Sequence, residues 1–385
     1  MVIANTKIYT CENNRIIENG WVEFNDGKIT NVSEGKYSGD DDVYDAQGQM
    51  LFPGFIDAHC HIGMLEEGIC FEGDDVNEMT DPCTPHIRAI DAINPMDIAF
   101  NDARSYGITT VVTGPGSSNP IAGQIAAIKT SGKMIDKMIV KAPAAMKFAL
   151  GENPKCTYND KDEVPSTRMA TAAIIRQQLT KAKKYMEELE KSKSDEEVDA
   201  PDYDEKCEAL LPILKREIRA HFHIHRADDI FTAIRISKEF NLDTVLIHCT
   251  EGHLIAEELG EEGYPAVIGP IISTRSKPEL KNISKENYIK LKKAGVKLAI
   301  NTDFPEVPIE MLPLSVAICG KFCDEDLNEL IKTITINAAE IVGIDDRVGS
   351  ISIGKDADFS LFKNSPLDLL EKPSKVVING KFVDN

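Results

Sequence analysis

The feature that most constrains the fold of this chain is a series of short apolar segments that end in histidine or aspartate. Segments of this kind end at His59, His225, His248 and Asp303, spread over much of the 385-residue chain. Stretches with helical periodicity separate them, among them Asp228–Phe240. Strands that alternate with helices indicate a parallel α/β architecture, in which the carboxyl ends of the strands meet on one side. The sequence therefore predicts one site built from residues far apart in the chain.

The two ends of the chain differ from its middle. Short β-type runs separated by turn signals occur at both ends: Val2–Tyr9, Trp21–Phe24, Lys28–Val32, Asp358–Phe362 and Lys375–Ile378. A length of 385 residues accommodates a barrel of roughly 250 residues and a smaller module. We therefore predict a (β/α)8 TIM-like barrel over residues 51–347 and a small β-sandwich domain built from both termini, residues 1–50 and 348–385. The charged stretch Lys181–Lys206 is interpreted as an exposed insert in the barrel.

Charge and composition favour a small-molecule substrate. A formal net charge of -20 would repel nucleic acids and anionic membranes. No apolar run approaches the roughly 20 residues needed to span a bilayer, and the first residues lack the pattern of a secretory signal. The nine cysteines contain no CxxC pair, and free thiols fit a reducing cytoplasm. We therefore expect a cytoplasmic protein with no nucleic-acid or membrane partner.

The strongest local signal is the apolar run Pro53–Ala58, which is followed by His59 and His61. Alternate residues of a strand point to the same face, so two imidazoles at its end can bind one metal ion. Neutral imidazole is a preferred ligand of zinc. The alternative is that the two histidines are ordinary polar residues with hydrogen-bond partners near a strand end. A single histidine would fit this alternative, but a pair directly after an apolar strand favours the metal site.

Three further histidines alternate along one strand, at positions 221, 223 and 225. Their common face is either the barrel interior or the helix layer, and three imidazoles beneath helices would be costly to bury without partners. The interior is therefore preferred. We predict His223 as a metal ligand and His225 as a residue near the substrate, with His221 the least favoured of the three.

His248, Asp303 and Lys147 also lie at or in apolar, strand-like runs. Asp303 can be a turn residue or helix cap, or it can bind the metal and take a proton as general base. Desolvation of Lys147 would favour the neutral amine, which can capture carbon dioxide as a carbamate and bridge two ions. The alternative for Lys147 is a side chain that reaches the surface or pairs with a carboxylate.

These motifs together resemble the amidohydrolase superfamily, in particular its imidazolonepropionase-like and prolidase-like members. The resemblance rests on Phe52–His61 near the start and on Thr335–Ala339 and Gly349–Asp358 near the end. The residues that match the family's metal site are His59, His61, Lys147, His223, His248 and Asp303. The resemblance implies that they bind one or two divalent ions, that Asp303 is the general base and that Lys147 is carboxylated where two ions bind. Zinc suits such ligands, as do iron, manganese and cobalt.

The resemblance implies metal-dependent hydrolysis of a carbon–nitrogen bond in an amide, a cyclic amide or a dipeptide-like compound. His225 or Arg226 would steady the developing oxyanion or a substrate carboxylate. One alternative is deamination of a cyclic amidine, but the family's deaminases usually carry glutamate three residues after the fifth-strand histidine, where this chain has Arg226. Another alternative is a non-catalytic, metal-free scaffold of the same fold. Homo-oligomers are common in such families.

Overall fold

A computed structural model describes residues 1–369 and 371–383. Within them, the strands form two eight-stranded sheets. The first five strands are β1 (Val2–Tyr9), β2 (Ile16–Asn25), β3 (Lys28–Glu34), β4 (Val43–Asp45) and β5 (Met50–Pro53). The next eight are β6 (Phe55–Cys60), β7 (Ile108–Thr113), β8 (Ile121–Lys129), β9 (Ile139–Ala149), β10 (Arg219–Ile224), β11 (Thr244–His248), β12 (Ala266–Ile268) and β13 (Leu298–Ile300). The last three are β14 (Phe359–Phe362), β15 (Lys375–Ile378) and β16 (Lys381–Val383).

The α-helices of the described residues lie mostly between the strands of the second sheet. They are α1 (Ala99–Ser105), α2 (Ile135–Met138), α3 (Glu152–Asn159), α4 (Arg168–Ser194), α5 (Glu205–Leu214), α6 (Ala227–Phe240), α7 (Ala256–Glu262), α8 (Asn287–Lys293), α9 (Leu312–Gly320), α10 (Leu327–Lys332) and α11 (Ile336–Val342). The side chain of Thr167 caps α4 by accepting a hydrogen bond from the backbone of Ala170. The charged insert is the distal part of this helix and the segment after it. None of the helices among residues 1–369 and 371–383 combines the length and hydrophobicity of a membrane span.

The second sheet is a nearly closed barrel, in which β6 to β13 lie side by side in chain order. The ring is completed at one end, where the backbone N–H of Asp303 donates to the carbonyl of His59 (3.2 Å) and that of His61 to the carbonyl of Phe304 (2.9 Å). Polar side chains at the start and at the end of this sheet are therefore neighbours.

One strand departs from the predicted repeat of parallel units. β8 runs antiparallel to both β7 and β9. Residues 114–120 alone connect β7 to β8, whereas a crossover between parallel strands needs roughly a dozen residues or more. The expectation of eight parallel βα units was therefore wrong at β8, and the barrel sheet is mixed.

The barrel interior is a packed apolar core. Its side chains include Ile56, Ala58, Val112, Ala145, Val245, Ile247, Val267 and Ala299, and α11 adds Ala338, Ala339, Ile341 and Val342 to the same cluster. The small and branched shapes of these side chains fill the space between the strands. These side chains therefore fill the interior, where the polar side chains of Lys147 and His221 are also fully buried.

The first sheet is built from both ends of the chain, in the order β16-β15-β14-β5-β1-β2-β3 with β4 beside β1. The apolar residues 51–58 form two strands, because Gly54 separates β5, which pairs with β14, from β6 of the barrel. A Cβ atom at Gly54 would collide with the side chain of Thr109. The chain therefore passes from one sheet into the other at a glycine.

A group of charges joins this sheet to the barrel, and we call it the junction cluster: Lys129, Asp356 and Asp358, which are buried, and Lys28 and Arg347, which are partly exposed. Lys129 is 1% exposed and its Nζ lies 2.9 Å from Asp356 Oδ2, and it also pairs with Asp358. Asp356 additionally pairs with Lys28 at 2.7 Å and with Arg347 at 2.8 Å. Lys129 thus neutralises two buried carboxylates away from water, and Lys28 and Arg347 pair with Asp356 from the solvent side.

Candidate active site

The strand ends bring two groups of potential ligands together at the barrel mouth. In the first group, which we call the seam triad, the ligand atoms of His59, His61 and Asp303 all lie within 4.8 Å of one another. Asp303 Oδ1 is 3.5 Å from Nε2 of each of the two imidazoles. Three side chains that are distant in sequence therefore converge on a volume that one ion could occupy.

The second group, which we call the histidine triad, consists of His223, His225 and His248. Their ligand atoms also lie within 4.8 Å of one another, and the ring of His225 is stacked on that of His248 with centroids 4.8 Å apart. The two triads are adjacent, because His248 Nε2 is 4.0 Å from Asp303 Oδ2. The geometry makes His225 a potential third ligand as well as a residue that faces the cavity.

Two of these side chains are aimed by unusual backbone conformations. The φ angles of His248 and Asp303 are 73° and 56°, in the left-handed region, which non-glycine residues rarely adopt. Val245 and Ile247 of the same strand face the packed interior. Regular alternation would point His248 away from them, whereas the left-handed turn at the strand end brings its imidazole back to the mouth. Such strain often marks a functional site.

Lys147 lies fully buried beside the seam triad, with its Nζ 3.0 Å from His59 Nε2. Burial lowers the pKa of this lysine to about 8, against the opposing effect of Asp303. His221 is its direct neighbour on β10; burial lowers the pKa of His221 to about 3, and neither of its ring nitrogens has a hydrogen-bond partner among the described residues. The amine of Lys147 is therefore more often neutral than that of an exposed lysine.

The remaining charges favour neutral imidazoles around one ionised carboxylate. Burial holds the pKa of His59, His223 and His225 well below the usual value and lowers that of His248 to about 4. Burial alone would raise the pKa of Asp303, but the imidazoles beside it outweigh that effect and hold it well below its usual range. Neutral imidazole and carboxylate are the forms in which these side chains bind metals.

Hydrogen bonds on the far side of two rings leave their Nε2 lone pairs available. Nδ1 of His61 bonds the carbonyl of Gly114, and Nδ1 of His248 bonds the carbonyl of Gly269, each at 2.7 Å. A carbonyl only accepts, so each Nδ1 carries the proton. Nε2 of His248 is buried and has no hydrogen-bond partner among the described residues. A buried nitrogen without a hydrogen-bond partner costs free energy of folding. Binding of a divalent cation would satisfy this nitrogen, and the neighbouring imidazoles and carboxylate are suitable ligands for such an ion.

Asp57, which was not among the predicted site residues, is a buried residue that links β6 to the loop after β13. Its Oδ1 accepts from the backbone of His59 (3.2 Å), and its Oδ2 accepts from the hydroxyl of Thr302 (2.5 Å). Asp57 thereby fixes the backbone of His59 on one side of the seam triad and Thr302, which precedes Asp303, on the other side. Its place in the motif before His59 was visible in the sequence, but the identity of its partner was not.

A cavity of about 670 Å³ opens above the two triads. His61, His223, His225 and Asp303 line its floor, and its wall includes Leu65, Val76, Met79, Ser117, Asn153, Ser276 and Lys277. A cavity of this size, in which polar groups converge beside apolar side chains, can hold a small molecule. A second cavity of about 390 Å³ adjoins it beside His248.

Arg226 is not brought to this cavity. Its guanidinium is paired with the carboxylate of Asp228 through two hydrogen bonds of 2.9 and 2.8 Å, at the start of α6, and it is absent from the residues that line the cavity. The predicted contact of Arg226 with a substrate is therefore not supported by the geometry. Lys277 lies at the cavity instead, and no periodicity or motif in the sequence pointed to it.

Comparisons with known proteins agree with this architecture. A model of the amidohydrolase family matches residues 50–383 of the chain. The crystal structure of an amidohydrolase from Thermotoga maritima MSB8 is similar over 100% of this chain and 99% of that one, with a TM-score of 0.94 and 40% identity. Amidohydrolase tasK of Hapsidospora irregularis is 26% identical over 88% of this chain, which spans only 37% of that relative. The imidazolonepropionase of Symbiobacterium thermophilum is 23% identical over 82% of this chain and 75% of its own length.

Proposed function

The chain belongs to the amidohydrolase family, and from this premise we propose that it is a metal-dependent hydrolase of a carbon–nitrogen bond in an amide, cyclic amide or dipeptide-like substrate. The observation that carries the proposal is the meeting of the seam triad and the histidine triad on the floor of one cavity. Neutral imidazoles and one ionised carboxylate form a donor set that suits zinc and related divalent ions.

The seam triad would hold one ion, and His223 with His248 would hold a second beside it. A bound divalent ion lowers the pKa of water towards about 7 and polarises a substrate carbonyl. Lys147 Nζ is 3.0 Å from His59 Nε2, so a carboxylated Lys147 would place its oxygens beside the seam triad. Proton transfer and stabilisation of the substrate oxygen are assigned to side chains of the protein.

Asp303 is proposed as the general base. Its Oδ1 faces His59 and His61, whereas its Oδ2 faces His248, so the second oxygen would take the proton of the attacking water. As the carbon–nitrogen bond breaks, the same oxygen would return the proton to the leaving nitrogen. The products are then an amine and a carboxylic acid, which releases its own proton to become the carboxylate. His225 lines the cavity and bonds Thr250 through Nδ1 at 2.7 Å, which leaves Nε2 to steady the substrate oxygen.

The test of this function compares two products. Zinc-loaded protein is incubated with N-acyl amino acids, dipeptides, cyclic amides and cyclic amidines, and both carboxylate and ammonia are measured. We expect carboxylate without ammonia, loss of turnover on chelation and its return with zinc. Ammonia release from a cyclic amidine would favour a deaminase instead. Protein that binds no stoichiometric metal and turns over none of these compounds would favour the scaffold alternative.

Carboxylation of Lys147 is a further part of the proposal. The neutral amine forms a bond to the carbon of carbon dioxide and releases one proton, which leaves a carbamate. Lys147→Ala is expected to lower turnover and zinc content by more than about tenfold, the lower end of what even indirect partners of a metal contribute. Added propionate should restore part of both, because its carboxylate can take the place of the carbamate. Zinc per chain is measured by mass spectrometry, and kcat with and without propionate.

The matched control for that experiment is Lys147→Met, whose longer side chain fills the space of the lysine stem. Propionate should not restore activity to this variant, since no cavity is left for it. Wild-type zinc content and turnover in Lys147→Ala would show that the lysine has no part in the site.

A further inference from the structure

Lys277 presents an ammonium group to the catalytic cavity at close range to the histidine triad. It lies in the loop between β12 and α8, lines the cavity together with His223 and His225, and its side chain is 28% exposed. Its Nζ donates to Asn153 Oδ1 at 3.2 Å, and Asn153 Nδ2 in turn donates to His223 Nε2 at 3.3 Å. One amide group therefore separates this cation from a predicted metal ligand.

The charge of Lys277 is only loosely balanced by the protein. Glu279 Oε2 lies 4.0 Å from its Nζ, which is beyond a hydrogen bond. The other oxygen of Glu279 accepts from the backbone of Glu152 and faces Arg168 at 3.5 Å. Among the described residues, Asn153 takes one of the three N–H groups of Lys277. The ammonium therefore keeps donors available towards the cavity.

The other charged residues of the cavity do not offer the same opportunity. Lys161 also lines it, but this lysine is exposed and donates to the carbonyl of Met79 at 2.6 Å. Asp160 and Glu306 are exposed at the rim, and Asp303 belongs to the seam triad. Of the charged groups that line the cavity within the described residues, Lys277 is thus the partly buried cation. Ser117 and Ser276 add hydroxyl donors to the lining.

We infer that Lys277 binds a carboxylate of the substrate, so that this hydrolase acts on acids such as N-acyl amino acids, dipeptides or cyclic amides that carry a carboxylate. The position of the scissile bond in this inference rests on the proposed function. The anion site is inferred independently, from the residues that line the cavity. The apolar side chains of Leu65, Val76 and Met79 in the same lining would accompany the acyl or amino-acid side chain.

The test uses two compounds that cannot be hydrolysed at an amide: N-methanesulfonyl-L-leucine and the corresponding leucinol, in which a hydroxymethyl group replaces the carboxylate. Their binding to zinc-loaded protein is measured by calorimetry. We expect wild type to prefer the acid by at least about tenfold, the scale of one charge-assisted hydrogen bond. Lys277→Gln should abolish this preference, and Lys277→Arg should keep most of it.

Lys281→Gln is the matched control, since it removes the same charge from the same loop at an exposed position outside the cavity lining. It should keep the wild-type preference. Equal weakening of both compounds in Lys277→Gln, an unchanged preference in that variant, or no preference in wild type would each overturn the inference. Turnover is scored separately: hydrolysis with an unchanged preference rejects the anion site alone, whereas a lost preference without hydrolysis in wild type rejects the proposed function alone.

Discussion

Replacement of Asp303 by asparagine is expected to lower kcat by about 10²- to 10⁴-fold, the usual contribution of a general acid–base. Asparagine keeps the shape of the side chain and one oxygen that can face His59 and His61. It removes the negative charge and the oxygen that would take a proton on the side of His248, 4.0 Å away. The measurement is kcat of zinc-loaded protein on the best substrate of the panel, with zinc content determined in the same samples.

The zinc measurement separates loss of the base from loss of the ion. A variant that loses zinc is reloaded at higher zinc concentration before its kcat is compared with wild type. Asp160→Asn is the control, because it removes an exposed carboxylate from the rim of the same cavity. Fully loaded Asp303→Asn with a kcat within about tenfold of wild type would contradict the role of general base.

Replacement of Lys129 by methionine is expected to lower the free energy of unfolding by about 3–5 kcal/mol, the cost of leaving a buried charge unpaired. The Lys129 side chain is 1% exposed and pairs with Asp356 and Asp358 in the junction cluster. Methionine fills most of the space but leaves the carboxylate of Asp358 without its ion-pair partner among the described residues. Chemical denaturation followed by circular dichroism measures the change.

Lys133→Met is the control for this prediction, because Lys133 is exposed shortly after the same strand. Its effect should stay within about 0.5 kcal/mol, as is usual for surface positions. A loss of less than about 1 kcal/mol in Lys129→Met would show that water or the remaining cations compensate for the missing partner, in which case the junction cluster stabilises little.

Sequence reasoning went furthest where a functional residue directly ends an apolar strand. The family was recognised from Phe52–His61 and from the segments near the end, and the family match confirms it. Histidines at positions 221, 223 and 225 were expected to share one face, and β10 places His221 beside Lys147, whose amine reaches His59. Alternation within one strand is a local property, so it can be read before the fold is known.

Features that depend on the rest of the molecule were out of reach. The direction of the His248 side chain is set by the left-handed backbone conformation of His248 itself. The alternation of residues along a strand does not predict such a conformation. β8 runs antiparallel because the connection from β7 is short. The pairing of β8 with β9 depends on residues farther along the chain. Lys277 enters the cavity from a loop, which carries no periodic signal in its sequence, and Asn153 enters it from the first turn of α3. Arg226 was placed near the substrate by its neighbours, but Asp228 two residues later binds its guanidinium.

The nearly closed barrel gives the seam triad a mechanical meaning. His59 lies in the first strand of the ring and His61 directly after it, whereas Asp303 follows the last strand, and few backbone hydrogen bonds join the two sides. A cation bound by His59 and His61 on one side and by Asp303 on the other would link the two edges of the sheet. Such an ion would need ligands from both sides of the gap, so its binding would favour the closed ring. Loading the catalytic ion and fastening the barrel would then be one and the same event.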